Sequence, residues 1–397
     1  MILACDAGPD AAPTETLDAA DLGLPDSTSL PFEFTPADAW SPLVISFPHV
    51  GLDWPEDEPQ RRPAANFARN ADLAVDRLYP DAARLGAATL KARYSRLLID
   101  LNRAADDVTS ALVPDHPAPR PHQPPWAQAG PNPPAYNRGL IWQTAVGNVQ
   151  ILRAPLPFAD LQARLSRYYD PYHAALERLL ARRRARFGFA VLLDAHSMPG
   201  SVPGDLVLGT FEGGACSPEL ERRALAALRG DGPAGGLRVS LNDPYRGGEL
   251  VRRFGRPEHG VHALQLEVNR ALYMDEVNLV LRPELSAQLS ASSGPAASRP
   301  STPAQPDRFT RPGGSRTTDH GPSAAALLLL HRVKSLVTAL AGSSLHDAAA
   351  PVRPAFPASP QPADEAASGR DLQGTHGTRP GSSAHHGEPL CRRTPRG

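Results

Sequence analysis

The apolar positions of the chain follow two periods. Runs such as Leu43-Val44-Ile45-Ser46-Phe47, Ala190-Val191-Leu192-Leu193 and Val261–Leu266 are apolar at consecutive positions, which predicts strands buried on both faces. Ala88–Leu90, Leu97–Leu101 and Leu237–Leu241 read as further strands. Elsewhere the spacing turns helical. Asp72–Gly86 sets Leu73, Val75, Leu78, Ala82 and Leu85 near helical spacing, and residues 158–187 carry Leu161, Leu165, Tyr168, Tyr172, Leu176, Leu179 and Leu180 along one stripe. Pro171 is expected to kink or split that second helix. Glu219–Leu228 and Ala324–Leu340 complete the helices, and Gly139–Trp142 with Val149–Leu152 predicts a hairpin around Gly147. Strands alternating with helices imply an α/β fold: a mixed, mostly parallel sheet flanked by helices.

Where the period fails, the boundaries fall. Residues 1–40 are acidic, Pro-rich and aperiodic, and read as a flexible N-terminal arm. Residues 41–282 form the main domain, 283–322 a low-complexity insertion, 323–344 the domain's final helix and 345–397 a disordered tail. Residues 114–135 hold nine prolines and predict an irregular surface loop. Much of the chain's 44 Pro and 32 Gly sits in these stretches, so the foldable part suits one domain.

Charge and cysteine narrow the class. With 41 basic and 42 acidic residues, the chain has no basic track, and nucleic acid is not an expected partner. The cluster Arg182, Arg183, Arg184 and Arg186 reads as a solvated helix face. The longest apolar run, Ala324–Leu330, is far short of the ~18–20 residues that span a bilayer, and Met1–Cys5 lacks the basic start and apolar core of a secretory signal. Neither membrane association nor export is expected, and a cytoplasmic location is the default. Cys5, Cys216 and Cys391 are too far apart for a disulfide framework or a thiolate metal site.

In open α/β sheets ligands bind at the carboxyl ends of the strands. Four of the predicted strands run straight into polar residues there: His49, then Asn102-Arg103, then Asp194-x-His196, then Glu267-x-Asn269. Imidazole is the commonest zinc ligand, so His49 and His196 are candidate ligands, and one divalent ion, zinc first, is the expected cofactor. A third ligand is needed. Asp76, set among the apolar Val75 and Leu78, is the first choice and Asp72 the second, although Asp72 would also serve as a helix cap. Asp194, two residues before His196 on one strand face, would orient its ring. Glu267 interrupts an apolar run; a buried carboxylate must be paired, for instance with Arg270, or work as a general base. Arg103 and Arg252 are candidates for gripping a carboxylate of a substrate, with Asn102 beside them.

Eight stretches of this chain occur together in one order. They are Pro42–Gly51, Asp72-x-x-Val75-Asp76-x-Leu78-Tyr79, Tyr94-Ser95-Arg96 with Ile99–Arg103, Gly139–Trp142, Tyr169-x-Pro171-Tyr172-His173, Leu193–Pro199, Asn242-x-Pro244-Tyr245-x-Gly247-Gly248, and Gln265–Arg270 through Glu276. As a set they resemble the N-formylglutamate amidohydrolase family. The resemblance implies a zinc carboxypeptidase- and aminoacylase-like (phosphorylase/hydrolase-like) fold. It also implies hydrolysis of N-formyl-L-glutamate to formate and L-glutamate, late in histidine degradation. His49 and His196 would then hold the metal, Glu267 would be the base, and Arg103 and Arg252 would bind the two substrate carboxylates. The alternatives are an amidohydrolase for another N-acyl amino acid and a non-catalytic binding protein on the same scaffold. A dead scaffold should have lost His49, His196 or Glu267, and all three are present.

Overall fold

The double-buried runs assemble side by side. A computed structural model of the chain describes residues 15–25, 28–58, 62–122, 138–230, 236–292 and 322–343. Seven strands form the central sheet: β1 (Phe32–Thr35), β2 (Leu43–Phe47), β3 (Ala88–Ala92), β6 (Ala190–Met198), β7 (Leu206–Gly209), β8 (Val239–Leu241) and β9 (Val261–Asn269). Two short hairpins, β4 (Thr144–Ala145) with β5 (Val149–Gln150) and β10 (Met274–Asp275) with β11 (Val280–Leu281), stand apart. The order across the sheet is β1-β3-β2-β6-β9-β7-β8. β3, β2, β6 and β9 are mutually parallel, while β1 and β7 run antiparallel to β3 and β9. The chain leaves β2 for β3 on one side and later returns to β6 on the other, which opens a crevice beyond the carboxyl end of β2.

Each face of the sheet has its own core. Val44, Leu90, Leu192 and Ala263 pack under α2 (Phe158–Arg164), α3 (Asp170–Phe187) and α5 (Glu249–Phe254). Their strand neighbours Leu43, Ile45, Val191, Leu193 and Leu264 face α4 (Pro218–Arg229), α6 (Pro283–Ser292) and α7 (Pro322–Ala341). A four-residue helix, α1 (Phe67–Asn70), lies outside both layers, with Phe67 in a third small cluster around Trp142. The helix starts follow ordinary chemistry: Ser217 caps α4 by accepting from Leu220 N, with Pro218 at the first helical position. The long helix over 158–187 is broken as expected: a π turn at Leu165–Tyr169 separates α2 from α3 just before Pro171.

Several expectations change. Leu97–Leu101 is a turn, not a strand, although its apolar residues are buried. Asp72–Gly86 is a succession of turns with one 3-10 segment, Val75–Leu78, because Ala74 is left-handed (φ +60°) and breaks any helix through it. The flexible arm expected over 1–40 does not hold for its described part, where Glu15, Leu17 and Ala19 are buried and residues 32–35 supply the edge strand β1. The region read as insertion begins with helix α6, which buries Leu285 and Leu289. The rest of that insertion, the tail after 343, residues 1–14 and most of the Pro-rich loop lie outside the described residues. Helix α7 is long and apolar enough by length and composition to cross a membrane. Here it buries Ala326, Leu329, Val333, Leu336, Val337 and Leu340 in the domain.

Arg183 also departs from the solvated face predicted for it. It is fully buried, donates Nε to Leu43 O at 3.1 Å, and meets Glu15 through two bonds of 2.7 and 2.8 Å. That pair ties the start of β2 to the N-terminal segment. Glu15→Ala leaves a guanidinium buried and uncompensated, and should cost about 3–5 kcal/mol in urea unfolding. A shift of the order of a surface pair, below ~1 kcal/mol, would show the contact to be dispensable.

Candidate metal centre

His49 lies two residues past the end of β2, Asp194 and His196 are on β6, and Glu267 is on β9. β6 and β9 are paired so that His196 stands opposite Glu267. All four side chains are buried. The carboxyl ends of three adjacent parallel strands therefore meet at one point.

The two imidazoles are presented in the same way. His49 Nε2 lies 2.7 Å from Asp100 Oδ1, and His196 Nε2 lies 2.8 Å from Asp194 Oδ2. A carboxylate on Nε2 fixes the tautomer, so that Nε2 donates and Nδ1 presents a lone pair. The two Nδ1 atoms are 3.2 Å apart. Asp72 Oδ2 completes the group, 2.8 Å from His196 Nδ1 and 3.4 Å from His49 Nδ1. Three acceptors directed at one another repel unless a proton or a cation lies between them. Their spacing matches the ~3.3 Å edge of a tetrahedron with bonds of about 2.0–2.1 Å to nitrogen and oxygen. His49, Asp72 and His196 could thus hold a metal ion, with open coordination remaining.

The electrostatics follow the same charges. Burial alone would raise the Asp72 carboxyl, but the bonds to His196 and His49 hold it well below the usual carboxylate range. Burial opposes protonation of His196, yet Asp194 and Asp72 carry its pKa well above that of a free imidazole. Both results describe a pocket that favours positive charge. Burial pushes Glu267 up to about 7, with His196 opposing and Asp72 and Asp194 adding to the shift. Its Oε1 accepts from Gln265 Nε2 at 2.9 Å, which leaves the other oxygen for chemistry.

Asp76, the first choice as third ligand, is not at this point. The left-handed Ala74 turns it to the domain surface, where it pairs with Lys91 at 2.9 Å, while the backbone bond from Asp72 N to His49 O (2.9 Å) brings Asp72 in. Arg270 is the partner that an ion-paired Glu267, the alternative to a base, would have taken. It instead donates to Ser197 Oγ (3.0 Å) and Ala71 O (2.8 Å) and reaches Asp72 Oδ1 at 3.4 Å, so it steadies the far oxygen of Asp72.

Asp100, which is not among the candidates above, has every lone pair engaged. Besides His49, its oxygens accept from Asn102 N, Trp142 Nε1 and two nitrogens of Arg96, whose guanidinium stacks 4.6 Å over the Trp142 ring. Burial would raise the Asp100 carboxyl; Arg96 first, then His49, hold it well below the carboxylate range. Its signal in the sequence is an acidic residue inside the apolar run Leu97–Leu101, which strand-like spacing masks.

Asn102 is brought to the site with its amide committed: Nδ2 donates to Asp194 Oδ2 (2.9 Å) and Oδ1 accepts from Leu250 N (2.8 Å) at the start of α5. A side chain at Gly248 would strike that amide at 2.5 Å, so this close approach requires glycine. Arg103 follows on the same turn, with Nη1 donating to Asn102 O. Arg252 is not assembled with this group. It is half-exposed on α5 and its side-chain bonds go to Glu249, at 2.6 and 2.7 Å.

The comparisons agree with one another. A family model described as N-formylglutamate amidohydrolase matches residues 41–274. An N-formylglutamate deformylase of Pseudomonas aeruginosa is 35% identical over 250 residues, which cover 59% of this chain and 83% of that protein. A second, from Pseudomonas putida, is 33% identical over 252 residues, 59% of this chain and 82% of its own length. Among solved structures, the N-formylglutamate amidohydrolase of Ralstonia eutropha superposes with a TM-score of 0.56 at 32% identity, over 66% of this chain and 94% of that one.

Proposed function

The chain belongs to the N-formylglutamate amidohydrolase family, and from that premise we propose that it is a zinc-dependent deformylase that cleaves N-formyl-L-glutamate to formate and L-glutamate. One observation carries the metal part of this reading: two histidines, each with a carboxylate on Nε2, converge through Nδ1 on Asp72. Zinc is the ion that suits two imidazoles and one carboxylate in near-tetrahedral array. When bound, it supplies Lewis-acid chemistry, acidifying water and polarising the amide carbonyl.

The chain's own residues do the rest. Glu267 accepts a proton as the water oxygen bonds to the formyl carbon, and returns it to nitrogen as the C–N bond breaks. A hydrogen-bond donor beside the metal would hold the developing oxyanion, a contribution of ~3 kcal/mol. Arg103 grips a carboxylate of the glutamate part. Arg252, expected to bind the other, would first have to exchange Glu249 for the substrate. Glutamate release from this substrate suits the close of histidine breakdown, in the cytoplasm.

The test is formate release from a panel of N-formyl and N-acetyl amino acids by the metal-loaded full chain. N-formyl-L-glutamate should give the highest kcat/KM. A preferred N-acetyl substrate would move the enzyme to another amide, and no turnover on any member would favour a binding protein.

A further inference from the structure

We propose that Tyr169 and His173 are positioning residues, a stacked pair that fastens the backbone of the Asp100–Arg103 turn from the helix side. The inference rests on the hydrolase reading above. That turn is the busiest segment of the site, yet it belongs to no strand and has no ladder to hold it. Its even residues work toward the metal centre: Asp100 orients His49, and Asn102 holds Asp194 and the start of α5. The carbonyls of its odd residues point the other way, and both are taken by one helix. Tyr169 donates its hydroxyl to Arg103 O at 2.8 Å, and His173 lies with Nε2 3.0 Å from Leu101 O.

The helix is shaped for this. The π turn at Leu165–Tyr169 inserts a wider turn just before Asp170, a device common at functional sites. Tyr169, its last residue, and His173 in the first turn of α3 share a face, their rings stacked 4.0 Å apart and 21° from parallel. Phe254 of α5 covers the other side of His173, with ring centres 6.0 Å apart.

The choice of histidine is informative. Burial, with Arg253 nearby, pushes its pKa down to about 3, so it is neutral and donates from Nε2. Its Nδ1 is then a buried acceptor with no partner among the described residues. A phenylalanine would stack on Tyr169 and Phe254 equally well and strand no lone pair. What histidine adds is the N–H on Leu101 O. Two side chains of different chemistry thus spend their only donors on alternate carbonyls of one turn.

The experiment compares Tyr169→Phe, His173→Phe and His173→Gln with Tyr168→Phe, a control that removes a neighbouring buried hydroxyl without a partner among the described residues. All are full-length, zinc-loaded proteins. Tyr169→Phe should raise KM about tenfold with kcat within about twofold, since Arg103 loses its backbone anchor. His173→Phe should lower kcat about tenfold, since Leu101 lies between Asp100 and Asn102. His173→Gln, which restores an N–H donor, should return within about threefold of the parent. Hydrogen–deuterium exchange in peptides spanning 97–104 should quicken in the two Phe variants at unchanged melting temperature. Kinetics and exchange like those of the Tyr168→Phe control would overturn the proposal. So would losses that track melting temperature, or a glutamine variant no better than phenylalanine. If the parent releases no formate, the hydrolase reading fails on its own, and exchange alone still decides whether the pair anchors the turn.

Discussion

Replacing Glu267 by glutamine should lower turnover of N-formyl-L-glutamate about a thousandfold while one cation per chain is retained. The magnitude is what a positioned proton acceptor contributes in general acid–base catalysis. The fold should survive, because the new amide can still present an oxygen to Gln265 Nε2 and its volume is unchanged. The parent also carries a pH signature. Glu267 is pushed up to about 7 by burial, and it accepts a proton only when ionised. Activity should therefore rise with pH along an acid limb at or below about 7, the bound cation drawing the limb downward because positive charge favours the carboxylate. The glutamine variant should show no such limb in whatever activity remains. Near-parental rates in that variant would remove Glu267 as the base.

The second large effect separates two aspartates four residues apart. Asp72→Asn should weaken zinc binding at least about a hundredfold, beyond the 10–100-fold typical of partners that only orient a ligand. Asp76→Asn should leave zinc stoichiometry and kcat unchanged, since Asp76 loses only a half-exposed pair with Lys91, worth ~0–1 kcal/mol. Chelator-competition titration of both variants, with His196→Ala as the reference for a lost ligand, measures this directly. Zinc lost with Asp76 and kept with Asp72 would mean that the 72–78 turn rearranges on loading.

The contrast between these aspartates also shows what the chain makes legible. β2, β6 and β9 could be read because strands buried on both faces leave a continuous apolar signature, and His49, Asp194, His196 and Glu267 could be read because they follow or interrupt it. Asp72 could not be ranked above Asp76 because helical spacing over 72–86 does not reveal a left-handed Ala74. The task of Asn102 is set by a backbone N–H at Leu250, and the burial of Arg183 by Glu15, partners remote in sequence for which no local pattern exists. α5, only six residues long, was hidden behind the Gly-rich stretch before it. Local periodicity reports the scaffold; the assignment of each polar group depends on contacts that close only when the chain is folded.

The pairing of His196 with Glu267 across β6 and β9 has a consequence for how this enzyme could be altered. The spacing between the proposed base and the proposed ligand is a property of the ladder itself, as constant as the rungs between any two strands. Remodelling the loops around the pocket to admit a bulkier acyl group would leave that spacing untouched. A directed-evolution campaign can therefore treat substrate range and reactive geometry as two nearly independent dials.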